Sequence, residues 1–369
     1  IYWYNYSVIC LGINRNHNSS VCLVKDGEVL LHLENERLTK IKYDCLPIHA
    51  MLEITKYVDH IDRLGIAAFA EQDIDYWEGK DIFTHLVDNL SRSFKGKPFK
   101  TTDLSNHHHQ LHAACSFYNS GFENALCIVI DGMGSEIYFK LDGQRVYGRE
   151  HTSVFQGSYP ASFELLEKHI SYPTEIKGKV DIDSRMHVSN HMSPAQAFGH
   201  SSEFFGFAHM DAGKLMGMAS YGQLNECVPP IYVDGKLNNR LFYIDDNLTK
   251  MFINNKNYPY MDLARDNFQA GADFAYALQT ETQKHVKEYI LDWVQKTKTK
   301  NVCLSGGYFL NCVANYDIMK SLPDDVSLYI EPLSNDAGTS MGAAKMLYHG
   351  ETKDMTIRKQ ENIYYGRNT

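Results

Sequence analysis

The sequence predicts an α/β protein of two lobes, each built on a mixed β-sheet, with a central cleft between them. A β-rich meander, a helical pattern and a further strand follow one another near the start of the chain, and a similar order recurs after residue 122. The length of 369 residues leaves room for two such units. We therefore expect lobes at 1–121 and 122–350.

Short β-rich runs and one helical face define the first predicted lobe. Met51, Ile54, Val58 and Ile61 repeat at spacings of three and four, which is typical of a helix. The strands are separated by turn residues, including a hairpin signal at 25–28. The predicted strands are residues 8–13, 20–25, 28–34 and 64–69.

The second predicted lobe repeats this organisation with longer helices. A helical stripe from Phe274 to Trp293 leads into a strand and a glycine turn, and a small-residue helix at 339–348 ends before Gly350. The polar stretch 172–196 indicates an insertion, either a lid or an acceptor-binding segment. The predicted strands are residues 125–130, 136–141, 144–150, 301–304 and 326–330.

Composition excludes several classes of protein. Hydrophobic residues make up 44% and charged residues 22% of the chain, as in ordinary globular proteins. A net charge of −9 disfavours binding to nucleic acid through long-range attraction. No CxxC pair and no apolar run of roughly 18 residues occurs, so we expect reduced cysteines, no membrane partner and a cytoplasmic location.

Two histidines and two aspartates form a candidate metal site. His108 and His112 are four residues apart and share one face of a helix. Asp131 and Asp336 each follow a predicted strand, where α/β sheets place ligand-binding groups. Two imidazoles and two carboxylates suit Fe(II), Mn(II) or Zn(II). The alternative is that the histidine run is only a solvated helix start.

Glycine-containing loops are candidates for contact with a nucleotide. Gly132 and Gly134 follow Asp131, while Gly306, Gly307 and Asn311 lie between a strand and a helix. Backbone N–H groups in such loops can approach phosphate closely. Structural glycine turns are the alternative for both loops. Neither a Walker A sequence nor a G-x-G-x-x-G fingerprint occurs, which disfavours P-loop and Rossmann proteins.

His17 and Lys42 are the candidate catalytic residues. His17 lies between the first two strands, and Lys42 ends the charged run 34–42. A cleft-facing imidazole can move a proton, and an ammonium can neutralise phosphate. A hydrogen-bonded loop histidine and a solvated charged face are the alternatives.

These motifs together resemble the carbamoyltransferases of the NodU/CmcH type. The resemblance covers nearly the whole chain, from Gly12 to Tyr365, and implies an actin-like (ASKHA, Kae1-like) fold. It places the metal ligands at His108, His112, Asp131 and Asp336, with His17 and Lys42 near the carbamoyl and phosphate groups. The matching segments are GINRNHNSSVCLVKDGEV, ENERLTKIKYDCLP, HHHQLHAACSFYNSGF, VIDGMGSE, DAGKLMGMASYG, LSGGYFLNCVAN and PLSNDAGTSMGAA.

The resemblance also implies a reaction. Members of this family make carbamoyladenylate from carbamoyl phosphate and ATP in a C-terminal YrdC-like domain, and transfer the carbamoyl group to a hydroxyl in the Kae1-like domain. Residues 351–369 are similar to the linker or the start of that second domain. The resemblance favours Fe(II) over Mn(II) or Zn(II), and a sugar, a natural product or a hydroxymethylated DNA base as acceptor. A homodimer is left open.

Three other functions fit parts of the pattern. A transferase that places threonylcarbamoyl on tRNA shares the fold and the HxxxH pair, but the His17 loop and the run 34–42 favour carbamoyl transfer. An actin-like kinase would use the glycine loops without needing the paired histidines. A nucleotide-binding module without catalysis would only change conformation.

Overall fold

In the computed structural model, residues 7–68, 89–90, 92, 94, 98–244, 251–253 and 255–366 are described. Two mixed sheets and a set of covering helices account for this part of the chain. The strands of the first sheet are β1 (Ile9–Asn14), β2 (Ser20–Lys25), β3 (Glu28–Glu34), β4 (Arg63–Ala68) and β5 (Lys100–Asp103).

The second sheet is larger, and two hairpins of very short strands lie outside both sheets. The second sheet contains β6 (Asn124–Ile130), β7 (Glu136–Leu141), β8 (Gln144–Ser158), β9 (Ser162–Ser171), β10 (Val180–Asp181), β11 (Met186–Ser189), β16 (Asn301–Ser305) and β17 (Ser327–Ile330). The hairpin strands are β12 (Tyr232–Val233), β13 (Lys236–Leu237), β14 (Phe242–Ile244) and β15 (Met251–Ile253).

Helices connect the strands and cover the sheets. The α-helices of the described residues are α1 (Asn35–Thr39), α2 (Ile48–Ile54), α3 (His108–Ser120), α4 (Pro194–Phe204), α5 (Ala212–Ala219), α6 (Tyr260–Asp266), α7 (Phe268–Thr297), α8 (Cys312–Ser321) and α9 (Ala337–Thr352). Short 3-10 helices occur at Ser105–His107, Asn255–Asn257 and Gly307–Leu310.

The two sheets repeat one strand order. The first sheet runs β3-β2-β1-β4-β5, antiparallel on one side of β1 and parallel on the other. In the second sheet, one edge of β8 pairs with β9. The other edge pairs with β7 along the first part of β8 and with β6 along the later part. β16 and β17 continue from β6 in parallel. This duplication confirms the predicted actin-like, two-lobed α/β fold.

Side chains along β1 and β2 point alternately to the two faces of the first sheet, and both faces are buried. Leu11 and Leu23 contribute to one apolar cluster, which includes Met51 of α2. Cys10 and Cys22 contribute to a different cluster, which includes Met341 of α9. Because successive side chains of a strand point to opposite faces, a helix covers each face of the sheet.

Helices α3 and α9 link the two sheets. α9 packs against β1, β2 and β4 of the first sheet and along α3, while α3 packs against β6 and β16 of the second. Gly342 allows the two helices to approach closely, since a Cβ atom there would lie 2.0 Å from the carbonyl oxygen of Leu111. The close crossing brings the residues at the N-terminus of α9 beside α3.

Most predicted elements are confirmed, with changes in length. The helix predicted over Met51–Ile61 ends earlier as α2, and the strand predicted at 144–150 continues to Ser158 as β8. Phe69, the last residue of the predicted strand 64–69, lies outside the described residues. No helix in the described part of the chain is both long and apolar enough to cross a bilayer.

The predicted insertion 172–196 adds strands to the second sheet. β10 pairs antiparallel with β7, and β11 pairs parallel with β9.

The segment after α9 also packs on the fold, because Gln360 N donates to Asn119 O at 2.9 Å and His32 N donates to Tyr365 O at 3.2 Å. The segment therefore contacts the end of α3 and strand β3, while residues 367–369 lie outside the described part.

Candidate metal centre

Helix α3 presents two imidazoles to one buried point. His108 is its first residue and His112 lies one turn later, so both rings are on the same face. Their Nε2 atoms are 3.2 Å apart, and the two side chains are almost fully buried. The histidine run is therefore not a solvated helix start at these two positions.

Two carboxylates from separate elements complete the cluster. Asp131 follows β6 directly, and its Oδ2 atom lies 3.4 Å from His108 Nε2. Asp336 precedes α9, and its Oδ1 atom lies 3.4 Å from His108 Nε2 and 3.3 Å from His112 Nε2. The structure thus brings together the four side chains predicted as metal ligands.

The spacing of these atoms fits a single cation. One ligand atom from each residue lies within 4.8 Å of the other three. Nitrogen and oxygen ligands bound at about 2.0–2.1 Å in a tetrahedral arrangement are separated by about 3.3 Å, close to the shortest distances in this cluster. Two imidazoles and two carboxylates also have the donor chemistry of borderline divalent metals.

Electrostatics holds both aspartates in the charged form. Burial opposes ionisation of Asp336, but the charge and hydrogen bond of His108 outweigh it and keep the pKa well below its usual range. Burial also opposes the charge of His108, yet Asp336 and Asp131 raise its pKa well above the usual value. The pKa of Asp131 is likewise lowered, because His108 and His112 outweigh its burial and the repulsion of Asp336.

The two oxygens of Asp336 face different groups. Oδ1 faces the imidazoles of α3, whereas Oδ2 accepts a hydrogen bond from Asn16 Nδ2 and lies 3.8 Å from His17 Nε2. Asn16 and His17 belong to the loop between β1 and β2. The His17 side chain is 43% exposed. The predicted catalytic histidine therefore lies beside the cluster and is accessible from outside it.

The second glycine loop positions Asp131. Gly307 N donates to Asp131 Oδ1 at 2.9 Å, so this oxygen is held by backbone while Oδ2 faces His108. Gly306 packs against the end of β6, where a Cβ atom would lie 2.4 Å from Ile130 O. Both glycines thus shape the metal cluster. Their contact with a nucleotide stays a prediction.

Asn311 and the first glycine loop have specific packing roles. Asn311 is fully buried, its Oδ1 accepts from Ala314 N at 3.1 Å to cap α8, and its Nδ2 donates to Gln279 Oε1 at 2.9 Å. Gly134 contacts the side chain of Glu150, whereas a Cβ on Gly132 would meet open space. Of these residues, Gly132 has the backbone most open to a ligand, and nucleotide contact by all three stays a prediction.

Lys42 takes part in a contact between the segment after α1 and the residues just before α5. Its Nζ atom is 2.9 Å from Asp211 Oδ1, and the side chain is 65% exposed. The neighbouring Tyr43 donates to Met210 O at 3.1 Å. Hydrogen bonds with Tyr43 and Asp211 raise the pKa of Lys42. Lys42 is therefore charged, and Asp211 is its ion-pair partner in the described part of the chain.

Sequence reasoning missed a buried ion pair behind α3. Lys168 Nζ donates to Glu150 Oε2, and Glu150 Oε1 accepts from His109 N at 3.2 Å and from Ser135 N at 3.1 Å. Burial opposes ionisation of Glu150, but His109 and Lys168 outweigh it and lower its pKa. The pair fixes the first turn of α3, and no local pattern signals it because β8 and β9 bring the residues together.

The duplicated sheets, with a His/Asp cluster at the α3–α9 crossing, define an actin-like protein with a candidate metal centre. A family model described as "Carbamoyltransferase N-terminus" matches residues 79–345. The chain belongs to this carbamoyltransferase family.

Individual relatives are similar to this chain at low sequence identity. The uncharacterized protein sll1178 of Synechocystis is 27% identical, with 90% of this chain and 55% of the relative covered. Nodulation protein NolNO of Sinorhizobium fredii is 24% identical, with 95% and 49% covered. The chain thus spans about half the length of the curated relatives it matches. The crystal structure of T. kodakarensis HypF aligns with a TM-score of 0.48 at 15% identity, over 96% of this chain and 49% of that chain.

Proposed function

We propose that this chain transfers a carbamoyl group from carbamoyladenylate to a hydroxyl group of an acceptor. The observation that carries the proposal is the buried cluster of His108, His112, Asp131 and Asp336 in a chain of the carbamoyltransferase family. We propose that a C-terminal YrdC-like domain in the full-length protein supplies the carbamoyladenylate from carbamoyl phosphate and ATP.

The four-residue cluster would hold a divalent metal, which we propose is Fe(II). When bound, such an ion polarises a carbonyl or phosphoryl oxygen and stabilises the negative charge that develops on it. Metal ligation requires ionised carboxylates and neutral imidazoles. The pKa values of Asp131 and Asp336 are lowered, and a bound ion would displace the proton that these carboxylates favour on His108. Gly307 and Asn16 each donate to an oxygen of one aspartate and thereby orient it.

His17 is our candidate for the proton transfer. The acceptor oxygen forms a bond to the carbamoyl carbon, and the bond from that carbon to the phosphate oxygen breaks, so AMP leaves with the electron pair. The hydroxyl proton passes to the His17 ring. The exposure of His17 and its position 3.8 Å from Asp336 support this role, because the ring lies beside the cluster and can still be reached by an acceptor.

Lys42 is our candidate for neutralising the phosphate of the donor. The charge is already present, because the pKa of Lys42 is raised by its hydrogen-bond partners Tyr43 and Asp211. A bound phosphate would compete with Asp211 for the ammonium. We expect Lys42→Met to raise KM for the carbamoyladenylate, whereas Asp211→Asn, which removes the competing carboxylate, leaves that KM unchanged or lower.

An aromatic-walled pocket next to Asp211 is our candidate for the acceptor site. The pocket has a volume of about 550 Å³ and is lined by Phe205, Phe207, Tyr221, Phe268, Lys214 and Arg265, among others. Lys214 pairs with Asp211 at 2.7 Å, which places the pocket beside the Lys42 contact. Aromatic faces bind planar and sugar rings. This favours a ring-bearing acceptor, either a sugar or natural product or a hydroxymethylated base.

The transfer reaction is tested with the full-length protein, carbamoyl phosphate and ATP. Mass spectrometry of candidate acceptors should show the mass of one added carbamoyl group, and His17→Asn should lower the transfer rate by 10²-fold or more. Carbamoyladenylate formation, measured in parallel, should be unchanged in this variant. Full transfer by His17→Asn would remove the assigned role. Phosphorylated acceptor in place of carbamoylated acceptor would favour a kinase.

The metal assignment is tested separately by elemental analysis. Purified wild-type protein should contain iron, and a His108→Ala/His112→Ala variant should have lost it. A His107→Ala variant is the matched control, because His107 lies next to the pair but is exposed and bonded to Gln110. Equal iron content in wild type and the double variant would contradict the site.

A further inference from the structure

A second group of metal-binding side chains lies at the end of α4. His200 and Glu203 are three residues apart near the C-terminal end of this helix, so they share a face. His209 follows on the loop that leads to α5. One ligand atom from each residue lies within 4.8 Å of the other two. None of the three belongs to the cluster at α3.

Glu203 faces both imidazoles. Its Oε2 atom lies 3.4 Å from His200 Nδ1 and 3.3 Å from His209 Nδ1. The two rings are edge to face with centroids 4.7 Å apart. These nitrogen–oxygen distances match the separation of about 3.3 Å expected for tetrahedral ligands at about 2.0–2.1 Å from one ion.

The ring of His200 is buried, and its nitrogens make no hydrogen bonds to the described residues that would compete with a metal. The residue is only 7% exposed, and neither Nδ1 nor Nε2 makes a hydrogen bond within the described part of the chain. A buried ring nitrogen without a hydrogen bond is unfavourable, and Glu203 Oε2 faces Nδ1 at 3.4 Å. A bound cation would remove this cost.

The backbone is shaped to hold His209 against the helix. Gly199 lies directly under its ring, since a Cβ atom on Gly199 would be 2.6 Å from His209 Nε2. Any larger residue at this position would push the ring of His209 away from the other two ligands. Gly199 therefore leaves the space in which the His209 ring lies beside α4.

We propose that His200, Glu203 and His209 form a second divalent-metal site, with a preference for Zn²⁺ or a similar borderline metal. Two imidazoles and one carboxylate provide three ligands and leave the remaining position to water. The ion ties the end of α4 to the loop before α5. That loop carries Met210 and Asp211, which contact Tyr43 and Lys42 of the segment after α1.

The proposal is tested by metal stoichiometry in the full-length protein, with Zn²⁺ and Co²⁺ as probes. After chelator treatment and reloading, elemental analysis should give one more ion per chain in wild type than in Glu203→Gln and in His209→Asn. Glu203 is 50% and His209 35% exposed, so both variants should fold. Co²⁺ bound at a site with nitrogen ligands also gives visible absorption, part of which should disappear in the same variants.

The variant His60→Asn is the matched control, because His60 pairs with Asp59 but belongs to no three-residue cluster of the described chain. It should keep the wild-type stoichiometry. In the His108→Ala/His112→Ala background, one Zn²⁺ should still bind and then be lost on adding His209→Asn. Equal stoichiometry in wild type, Glu203→Gln and His209→Asn would overturn the proposal. This readout does not depend on carbamoyl transfer, so the two proposals can fail separately.

Discussion

The backbone N–H of Gly307 donates a 2.9 Å hydrogen bond to Oδ1 of Asp131. The loop after β16 thereby fixes a carboxylate that follows β6, with its other oxygen directed at His108. A side chain that is oriented before it meets a metal loses less conformational entropy on binding. The glycine loop therefore supports the candidate metal centre directly, whatever else it binds.

Replacing Gly307 by proline should weaken metal binding by 10- to 100-fold, as is usual for loss of a partner that orients a metal ligand. Proline has no N–H to donate to Asp131. Competition with a chelator of known affinity measures the effect. Gly307→Ala keeps the amide and should lose less, although its Cβ would lie 3.0 Å from Asp131 Oδ1. Wild-type affinity in the proline variant would refute this role.

Gly342→Ala should disturb the candidate metal centre, although Gly342 is not one of its four residues. The new Cβ would lie 2.0 Å from Leu111 O, so α3 and α9 must separate, and with them the histidines of α3 and Asp336. We expect a loss of roughly 1–3 kcal/mol in the free energy of unfolding, together with weaker metal binding. Denaturant unfolding and metal titration measure the two effects. Gly350→Ala, in the same helix with its nearest neighbour at 3.9 Å, is the control.

Breaking the buried pair of Glu150 and Lys168 should be costly. Lys168→Met leaves the Glu150 carboxylate buried without its cation, which is expected to lower the free energy of unfolding by about 3–5 kcal/mol. The double variant Glu150→Gln/Lys168→Met should recover part of this loss, because it removes the unpaired charge. Urea unfolding of wild type, Glu150→Gln, Lys168→Met and the double variant gives the coupling energy. Additive effects of the two substitutions would contradict the pairing.

The pH dependence of stability should report on Glu167. Burial opposes its ionisation, but hydrogen bonds from His169 and Tyr289 outweigh it and lower the pKa to about 2. A lowered carboxyl pKa stabilises the fold above the unfolded value of about 4.3, and this stabilisation is lost as the pH falls towards 2. Glu167→Gln should cost roughly 1–2 kcal/mol at pH 7.

Thermal unfolding of the Glu167→Gln variant and of wild type across pH 7 to 2.5 measures the difference. The difference in Tm should shrink as the pH falls below about 4.3. Glu164→Gln, which changes an exposed residue of the same strand, should show little difference at any pH. A Tm difference for Glu167→Gln that is constant with pH would show that ionisation of this carboxyl is not the cause.

The sequence was sufficient for elements with a strong local pattern. Strands β1 to β4 follow from short β-rich runs bounded by turn residues, and the stripe of α7 follows from helical spacing; both signals depend only on neighbouring residues. β5 and β9 were not predicted, and β8 was predicted too short. Residues 151–158 and 162–171 are rich in polar side chains, and they become strands because β6 offers β8 a partner edge and β8 in turn offers one to β9. Local patterns contain no information on such pairing.

For the candidate centre, the sequence by itself determined which residue types were available and that His108 and His112 share a helical face, because an i,i+4 spacing fixes this in any helix. Only the tertiary structure decided the rest. The α3–α9 crossing brings Asp336 beside histidines that are more than 200 residues away in the chain, and the end of β6 adds Asp131. Likewise, only folding brings the loop residue His209 to His200 and Glu203 of α4. Distances between side chains on separate elements depend on packing, and packing is a property of the whole chain.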